Sequence, residues 1–204
     1  MVKKTGCPKA ILRSEMKEIL STLSESALME KSESVYKHLV KLLDDLINIP
    51  HSDTSKFMTV GAYAPMKGEV NWLRLESDYL IAYPCLEESL MVFKEAKYSE
   101  LTVDHDFGVP LRLPKGSEKK VTPRVLLVPG LAFSKEGHRL GRGKGFYDRY
   151  LEKYDGIKVG ICFSEQLRSI VPYEKHDVMM DYVVTESECF HKGNTINKGS
   201  TSWT

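Results

Sequence analysis

Apolar residues recur at helical spacing near the start of the chain. Leu12, Met16, Ile19, Leu20 and Leu23 fall on one face of residues 9–23 while Lys9, Arg13 and Lys17 fall on another, which predicts an amphipathic helix. Ser24 and Ser26 are N-cap candidates, and Leu28, Val35, Leu39, Leu42, Leu43 and Leu46 keep the period until Pro50 stops it. A second, longer helix is predicted there. The texture then changes. Residues 57–63, 80–83, 90–93, 125–128, 158–162 and 182–184 are short apolar runs bounded by Pro, Gly or charge, the pattern of buried strands. Helical patterns fall between several of them, at 70–76, 146–154 and 165–170. Such alternation predicts an α/β class, with an open, largely parallel sheet covered by helices in a single domain. Between 98 and 124, Gly108, Pro110, Pro114, Gly116, Pro123 and several lysines predict a long irregular surface connection. From His191 onward Gly193, Asn194, Asn197, Gly199 and Ser200 offer little to bury. The domain is therefore expected over 1–190 and a flexible C-terminal tail over 191–204, where Trp203 is the group able to dock.

Composition narrows the classes. The 204 residues are 42% hydrophobic and 28% charged, an ordinary globular balance, and such a chain buries about 70% of its unfolded surface without staples. Lys and Arg number 29 against 28 Asp and Glu, a net charge of +1, which excludes a nucleic-acid binder held by a broadly positive surface. The apolar runs are far shorter than the roughly 20 residues a membrane span needs. The start Met1-Val2-Lys3-Lys4 leads into no apolar signal region, so a cytoplasmic location and no membrane partner are expected. Cys7, Cys85, Cys162 and Cys189 are scattered without a C-x-x-C pair, which fits reduced thiols rather than a zinc site. His38, His51, His105, His138, His176 and His191 show no H-E-x-x-H spacing and are assigned no catalytic role.

The chemistry concentrates after residues 125–128. Val128-Pro129-Gly130 leads to Arg139-Leu140-Gly141-Arg142-Gly143-Lys144-Gly145-Phe146-Tyr147-Asp148, a glycine-rich basic loop that opens a helix. Glycines at 141, 143 and 145 let backbone N–H groups approach an anion closely, and Arg139, Arg142 and Lys144 supply positive charge. The helix behind adds its N-terminal dipole. Phosphate is the natural guest, although the loop is neither a Walker A motif nor a dinucleotide-binding G-x-G-x-x-G. Asp148 falls in the first turn beside it, and Asp181, just before the strand at 182–184, is a second acid at a possible cleft edge; a basic cradle and two carboxylates suit phosphoryl transfer with Mg²⁺. Phosphosugar isomerisation or acyl transfer remains open on such a fold, as does RNA binding through Arg142, Lys144, Phe146, Tyr147 and Tyr150.

The run Gly141-Arg142-Gly143-Lys144-Gly145-Phe146-Tyr147-Asp148-Arg149-Tyr150, preceded by Val128-Pro129-Gly130-Leu131-Ala132-Phe133, resembles the signature of the 5-formyltetrahydrofolate cyclo-ligase family, also called 5,10-methenyltetrahydrofolate synthetases. Lys9-Ala10-Ile11-Leu12-Arg13 resembles the family's Lys-x-x-x-Arg element, Met66-Lys67-Gly68-Glu69-Val70 its substrate-binding turn, and the segments 172–177 and 180–186 its C-terminal signature. The resemblance implies an α/β/α fold like that of sugar-phosphate isomerases and CoA transferases. It also implies ATP- and Mg²⁺-dependent conversion of 5-formyltetrahydrofolate to 5,10-methenyltetrahydrofolate with release of ADP and phosphate. The formyl oxygen would attack the γ-phosphate, N10 would attack the activated carbon, and phosphate would leave as the ring closes.

By the same resemblance Arg142, Lys144 and Tyr147 are the catalytic group, with Tyr147 orienting the formyl group. ATP falls to Lys9, Ala10, Ile11, Leu12, Arg13, Arg139, Leu140, Gly141, Arg142, Gly143, Lys144, Gly145, Phe146 and Tyr147. The folate falls to Arg13, Ala64, Glu69, Arg142, Gly143, Lys144, Gly145 and Phe146, with Glu69 accepting the pterin's N–H edge, and Mg²⁺ to Asp148 and Asp181. No obligate protein partner is implied. The sequence departs from the family at the mid-chain loop, where Leu111-Arg112-Leu113-Pro114 replaces a Pro-Glu-Pro-like end, which removes the basis for carrying over contacts from that loop; Phe146 stands where tyrosine is common.

Overall fold

The computed structural model describes residues 7–47, 59–88, 90–105, 110–115 and 119–196. Two helices come first, α1 (Pro8–Ser21) and α2 (Glu25–Ile47), where the apolar period places them. Ser24 caps α2, its Oγ accepting the Ala27 N–H at 3.2 Å, while the Ser26 hydroxyl lies 3.0 Å from that of Ser24. Pro50, residues 57–58 and Trp203 lie outside the described residues. The remainder runs β1 (Thr59–Gly61), β2 (Leu80–Glu87), β3 (Leu90–Glu95), β4 (Thr102–Asp104), β5 (Leu111–Leu113), β6 (Lys120–Val121), β7 (Val125–Val128), β8 (Ala132–Phe133) and β9 (Arg139–Leu140). It continues through α3 (Phe146–Leu151), β10 (Ile157–Ile161), β11 (Tyr182–Val184), β12 (Cys189–His191) and β13 (Asn194–Thr195).

Among the described residues nine strands form one sheet in the order β13-β12-β11-β10-β7-β1-β2-β3-β6. Its centre, β11 to β2, is parallel throughout; β12 and β13 extend one edge antiparallel, β3 and β6 the other. Strand alternation decides what each face buries. Val125 and Leu127 of β7 join Val60, Val159 and Ile161 under Val35, Leu39, Leu42, Leu43 and Leu46 of α2. Leu126 and Val128 point the other way, to Phe93, Val183 and the α3 residue Leu151. Each such Leu or Val contributes roughly 1.5–3 kcal/mol on burial, so the two layers hold the sheet from both sides. This is the expected α/β class with helices over a mostly parallel core.

Helix α1 touches the α2 side of the core only through Leu20. Its Met16 packs with Leu131, Ala132, Leu140 and Val171, against the β8–β9 hairpin beyond the end of β7. That docking carries Arg13 and Lys17 to the same end of the sheet.

The intervening segments differ from expectation. Residues 70–76 and 165–170 hold 3₁₀ turns, at Leu73–Ser77 and Ser164–Gln166, not α-helices. The second is pinned by Gln166, whose side chain accepts the Phe163 N–H at 2.9 Å and donates to the Gly130 carbonyl at 2.8 Å. Helix α3 stops at Leu151, because Tyr154 turns inward to donate its hydroxyl to the Pro123 carbonyl at 3.0 Å before β10 begins. β2 and β3 are longer than their apolar cores and pair antiparallel. The 98–124 connection contains a β4–β5 hairpin and β6. Beyond residue 190, where a tail was expected, the sheet continues to Thr195, since Phe190 is buried and pairs with Val183. No helix among the described residues is long and apolar enough to cross a membrane.

Candidate functional site

In chain order the five parallel strands are β1, β2, β7, β10 and β11, and the sheet grows outward from β1 in one direction to β2 and in the other from β7. The reversal lies between β1 and β7. A crevice at the carboxyl ends of strands is expected at such a point, and a cavity of about 400 Å³ opens there. Ala64 and Glu69 enter it after β1, Pro129 and Gly130 after β7, and residues 141–148 close one side.

The loop's course depends on backbone that L side chains rarely adopt: Gly143 and Gly145 have φ of 97° and 71°. Arg13 holds the loop from outside, its Nε donating to the Gly141 carbonyl at 2.9 Å. Lys144 is exposed at the cavity and meets no partner among the described residues.

The two loop arginines are already paired. Arg142 donates from Nε and a terminal nitrogen to Glu69 Oε1 at 3.2 and 2.8 Å. The other oxygen of Glu69 accepts the Met66 N–H at 3.0 Å, so this carboxylate closes the turn before Val70 and also faces the cavity. Arg139 is nearly buried; it pairs with Asp148, donates to the Pro129 carbonyl at 3.2 Å, and lies 5.6 Å from the centre of the Tyr147 ring. It therefore ties α3 to the end of β7 as well as lining the site.

Tyr147 is the unusual member. Its hydroxyl is buried at the cavity without a hydrogen-bond partner among the described residues, and burial pushes its pKa well up despite Arg139 nearby. A buried O–H left unpaired costs roughly 1–3 kcal/mol, which a bound acceptor would return. Phe146 also lines the cavity, with the Arg149 guanidinium 5.2 Å from its ring centre.

Other expected members stand apart. Lys9 binds Asp177 at 2.6 Å and Glu174 at 2.9 Å, joining α1 to the 172–177 segment. Ala10 is exposed, and Leu12 packs with Ile19 and Leu20 on the Met16 cluster. Leu140 is buried in that cluster. None of these, nor Ile11, lines the cavity. The pairing of Asp148 with Asp181 is not formed: Asp181 sits where β11 begins, accepting the Lys158 N–H at 2.8 Å and the Lys158 ammonium at 3.0 Å. Lys158 in turn lies 5.9 Å from the ring of Tyr154, past the far end of α3. Asp148, in the first turn of α3, lines the cavity and Asp181 does not. The helix dipole is also a lesser contribution than expected, because α3 has six residues.

The remaining wall was missed. Pro84, Cys85 and Leu86 of β2, Met91 of β3 and Leu111 to Leu113 of β5 line it, and Lys17 adds a cation. Lys17 had a signal, since it follows Arg13 by four residues on one helix face. The strand residues had none: β2 and β3 pair as a local hairpin, but its docking at the crevice and the approach of β5 are long-range events. Two of the rings proposed for RNA stacking are engaged inside the protein: Tyr150 packs against Phe93 at 5.1 Å and Tyr154 at 5.5 Å, and the Tyr147 hydroxyl is buried.

The family model for 5-formyltetrahydrofolate cyclo-ligases matches residues 6–186. The chain belongs to this family. Its 75-residue match to the 5-formyltetrahydrofolate cyclo-ligase of Saccharomyces cerevisiae is 44% identical, covering 33% of this chain and 36% of that protein. The match thus spans about a third of that relative's length, as it does for the mouse cyclo-ligase at 34%. Against the Escherichia coli cyclo-ligase identity is 30% over 146 residues, 64% of this chain and 79% of that one. The NMR structure of Aquifex aeolicus 5,10-methenyltetrahydrofolate synthetase superposes with a TM-score of 0.72 at 27% identity, over 95% of this chain and 98% of that one. Family membership thus covers the whole cavity, both walls included.

Proposed function

We propose that this protein converts 5-formyltetrahydrofolate to 5,10-methenyltetrahydrofolate, consuming ATP with Mg²⁺ and releasing ADP and phosphate. The observation that carries the reading is one cavity in which a glycine loop with an unpaired Lys144 stands beside the carboxylate of Glu69. The loop end fits phosphate and the Glu69 end fits adjacent N–H donors of a pterin. Membership in the cyclo-ligase family supports joining the two.

The chemistry explains the residues. A formyl amide is a poor electrophile whose oxygen is a poor leaving group, and phosphorylating that oxygen removes both obstacles. The formyl oxygen attacks the γ-phosphorus as the bond to ADP breaks; N10 then bonds to the formyl carbon, loses its proton, and the C–O bond breaks to release phosphate. Negative charge builds on the transferring oxygens, where Lys144 and Arg142 provide charge that is in place beforehand. Tyr147, with its unpaired hydroxyl, orients the formyl oxygen. Glu69 takes the pterin N–H edge in exchange for Arg142, which frees that arginine for phosphate. Arg13 keeps the loop in shape. Ala64 offers the folate only a methyl group and backbone. Lys9 contributes through the placement of α1 rather than by touching the nucleotide.

The donor set fits Mg²⁺. Among the described residues no three acidic, His or Cys side chains cluster as an all-protein cage, and Mg²⁺ commonly binds through one or two carboxylates and substrate phosphates. Of the two carboxylates at the cavity, Asp148 is the one beside the glycine loop, where the ion would neutralise phosphate charge. The test is the appearance of methenyltetrahydrofolate absorbance when protein meets 5-formyltetrahydrofolate, with and without Mg-ATP. Product that requires ATP and is suppressed in folded Lys144→Ala and Asp148→Ala is expected; no product from intact protein under any nucleotide would overturn the reading.

A further inference from the structure

The cavity carries more positive charge than its phosphate end uses. Arg139 is neutralised by Asp148 and Arg142 by Glu69, Arg13 and Lys144 stand at the glycine loop, and Lys17 of α1 adds a cation to the lining. Arg112 stands elsewhere. It lies on β5, flanked by Leu111 and Leu113, which line the same cavity, and β5 packs against β2. Its guanidinium rests 5.2 Å from the Tyr98 ring centre, is exposed, and meets no carboxylate among the described residues. The surrounding wall is apolar, from Leu86 and Met91 as well as the two β5 leucines. Arg112 itself lines the cavity at the rim of β5, and an apolar slot with an arginine at its rim matches an aromatic ring that continues into a carboxylate.

5-Formyltetrahydrofolate has that form beyond its pterin: an aminobenzoyl ring followed by a glutamate with two carboxylates. Resting on the cyclo-ligase reading, we infer that Arg112 is a specificity residue that binds a carboxylate of the glutamyl tail, with Leu111 and Leu113 against the aminobenzoyl ring. The ring stem and charged head divide the work. Arg112 supplies a planar pair of donors suited to a carboxylate, and Tyr98 beneath it limits the conformations the side chain loses on binding. ATP has no equivalent group at this end.

The experiment compares 5-formyltetrahydrofolate with 5-formyltetrahydropteroate, which lacks the glutamate, at saturating Mg-ATP. In the unaltered protein the KM for the glutamyl substrate is expected to be about fivefold lower, the scale of a partly exposed charge-assisted contact. In Arg112→Met, which keeps an apolar stem over Tyr98 while removing the charge, the ratio of the two KM values falls toward one. Arg112→Lys restores part of it. A preference preserved in folded Arg112→Met, or absent from the unaltered protein, overturns this inference alone. Turnover of neither substrate by the unaltered protein overturns the cyclo-ligase reading and this inference with it.

Discussion

One wall of the cavity is a single stretch, Arg139 to Asp148, in which glycines, cations and a carboxylate follow one another along the chain. The other wall takes Pro84, Leu86, Met91, Leu111 and Leu113 from the β2–β3 hairpin and from β5, all far in sequence from the glycine loop. The first is charged and shaped by backbone conformation; the second is apolar and shaped by strand pairing. They meet at Arg142 and Glu69. The contrast teaches where discrimination would lie on the proposed function: the contiguous wall would take a group common to every nucleotide, leaving the assembled wall free to vary with the other substrate.

The largest effect should come from the charged wall. Lys144 is exposed and meets no partner among the described residues, so on the proposed function Lys144→Ala would remove transition-state charge without removing a structural contact. A fall in kcat of about a hundredfold is expected, with an unchanged unfolding midpoint. An equal fall from a substitution on the apolar wall would erase the distinction.

The two aspartates sharpen it further. Asp148→Asn keeps an acceptor for Arg139 but removes the charge at the cavity, and a drop in kcat of about tenfold that added Mg²⁺ partly offsets is expected. Asp181→Asn should leave turnover within about twofold. Its carboxylate instead holds the first residues of β10, and because that side chain is 37% exposed the loss of stability should stay near 0.5 kcal/mol by thermal unfolding. Equal kinetic effects of the two would return Asp181 to the metal site.

This pair also marks what was legible in the sequence. The repeat of Leu39, Leu43 and Leu46 located α2, and the run Val125–Val128 located the central strand, because local periodicity is set by which face is buried. The glycine loop was legible because its chemistry is contiguous. Asp181 misled because sequence places it before a buried strand without saying which end of the sheet faces the ligand; a parallel strand begins on the side opposite the crevice. The 3₁₀ turns were read as helices since two buried residues, such as Trp72 and Leu75, satisfy both periods over so short a span. Arg112 needed the β4–β5 pairing, which no local pattern encodes.

On the apolar wall Leu113→Ala should raise the folate KM about fivefold through lost contact area and leave the KM for ATP alone. Steady-state kinetics with each substrate varied in turn measures both. Parallel changes in the two KM values would mean that the walls are not separable.

The smallest expected effect concerns the contact that seats α1, and with it Arg13, against the charged wall. Burial alone would lower the pKa of Lys9, but its bonds to Asp177 and Glu174 outweigh this and raise it above 10.5; burial alone would raise Asp177, but the bond from Lys9 holds it below 3.8. Linkage fixes the signs. The Asp177 contribution is present above its unfolded pKa and is lost as pH falls through the depressed folded value. That of Lys9 is present below its unfolded pKa and is lost as pH rises through the elevated one. Asp177→Asn should therefore cost about 1 kcal/mol across the neutral range, and the gap should close below about pH 3.8 and again well above pH 10.5. Denaturant titrations at a series of pH values test this, and a gap independent of pH would mean that the asparagine perturbs packing rather than charge. At neutral pH the same variant should raise the KM for ATP slightly and leave that for the folate unchanged, since α1 is seated against the loop and not against the strands of the apolar wall.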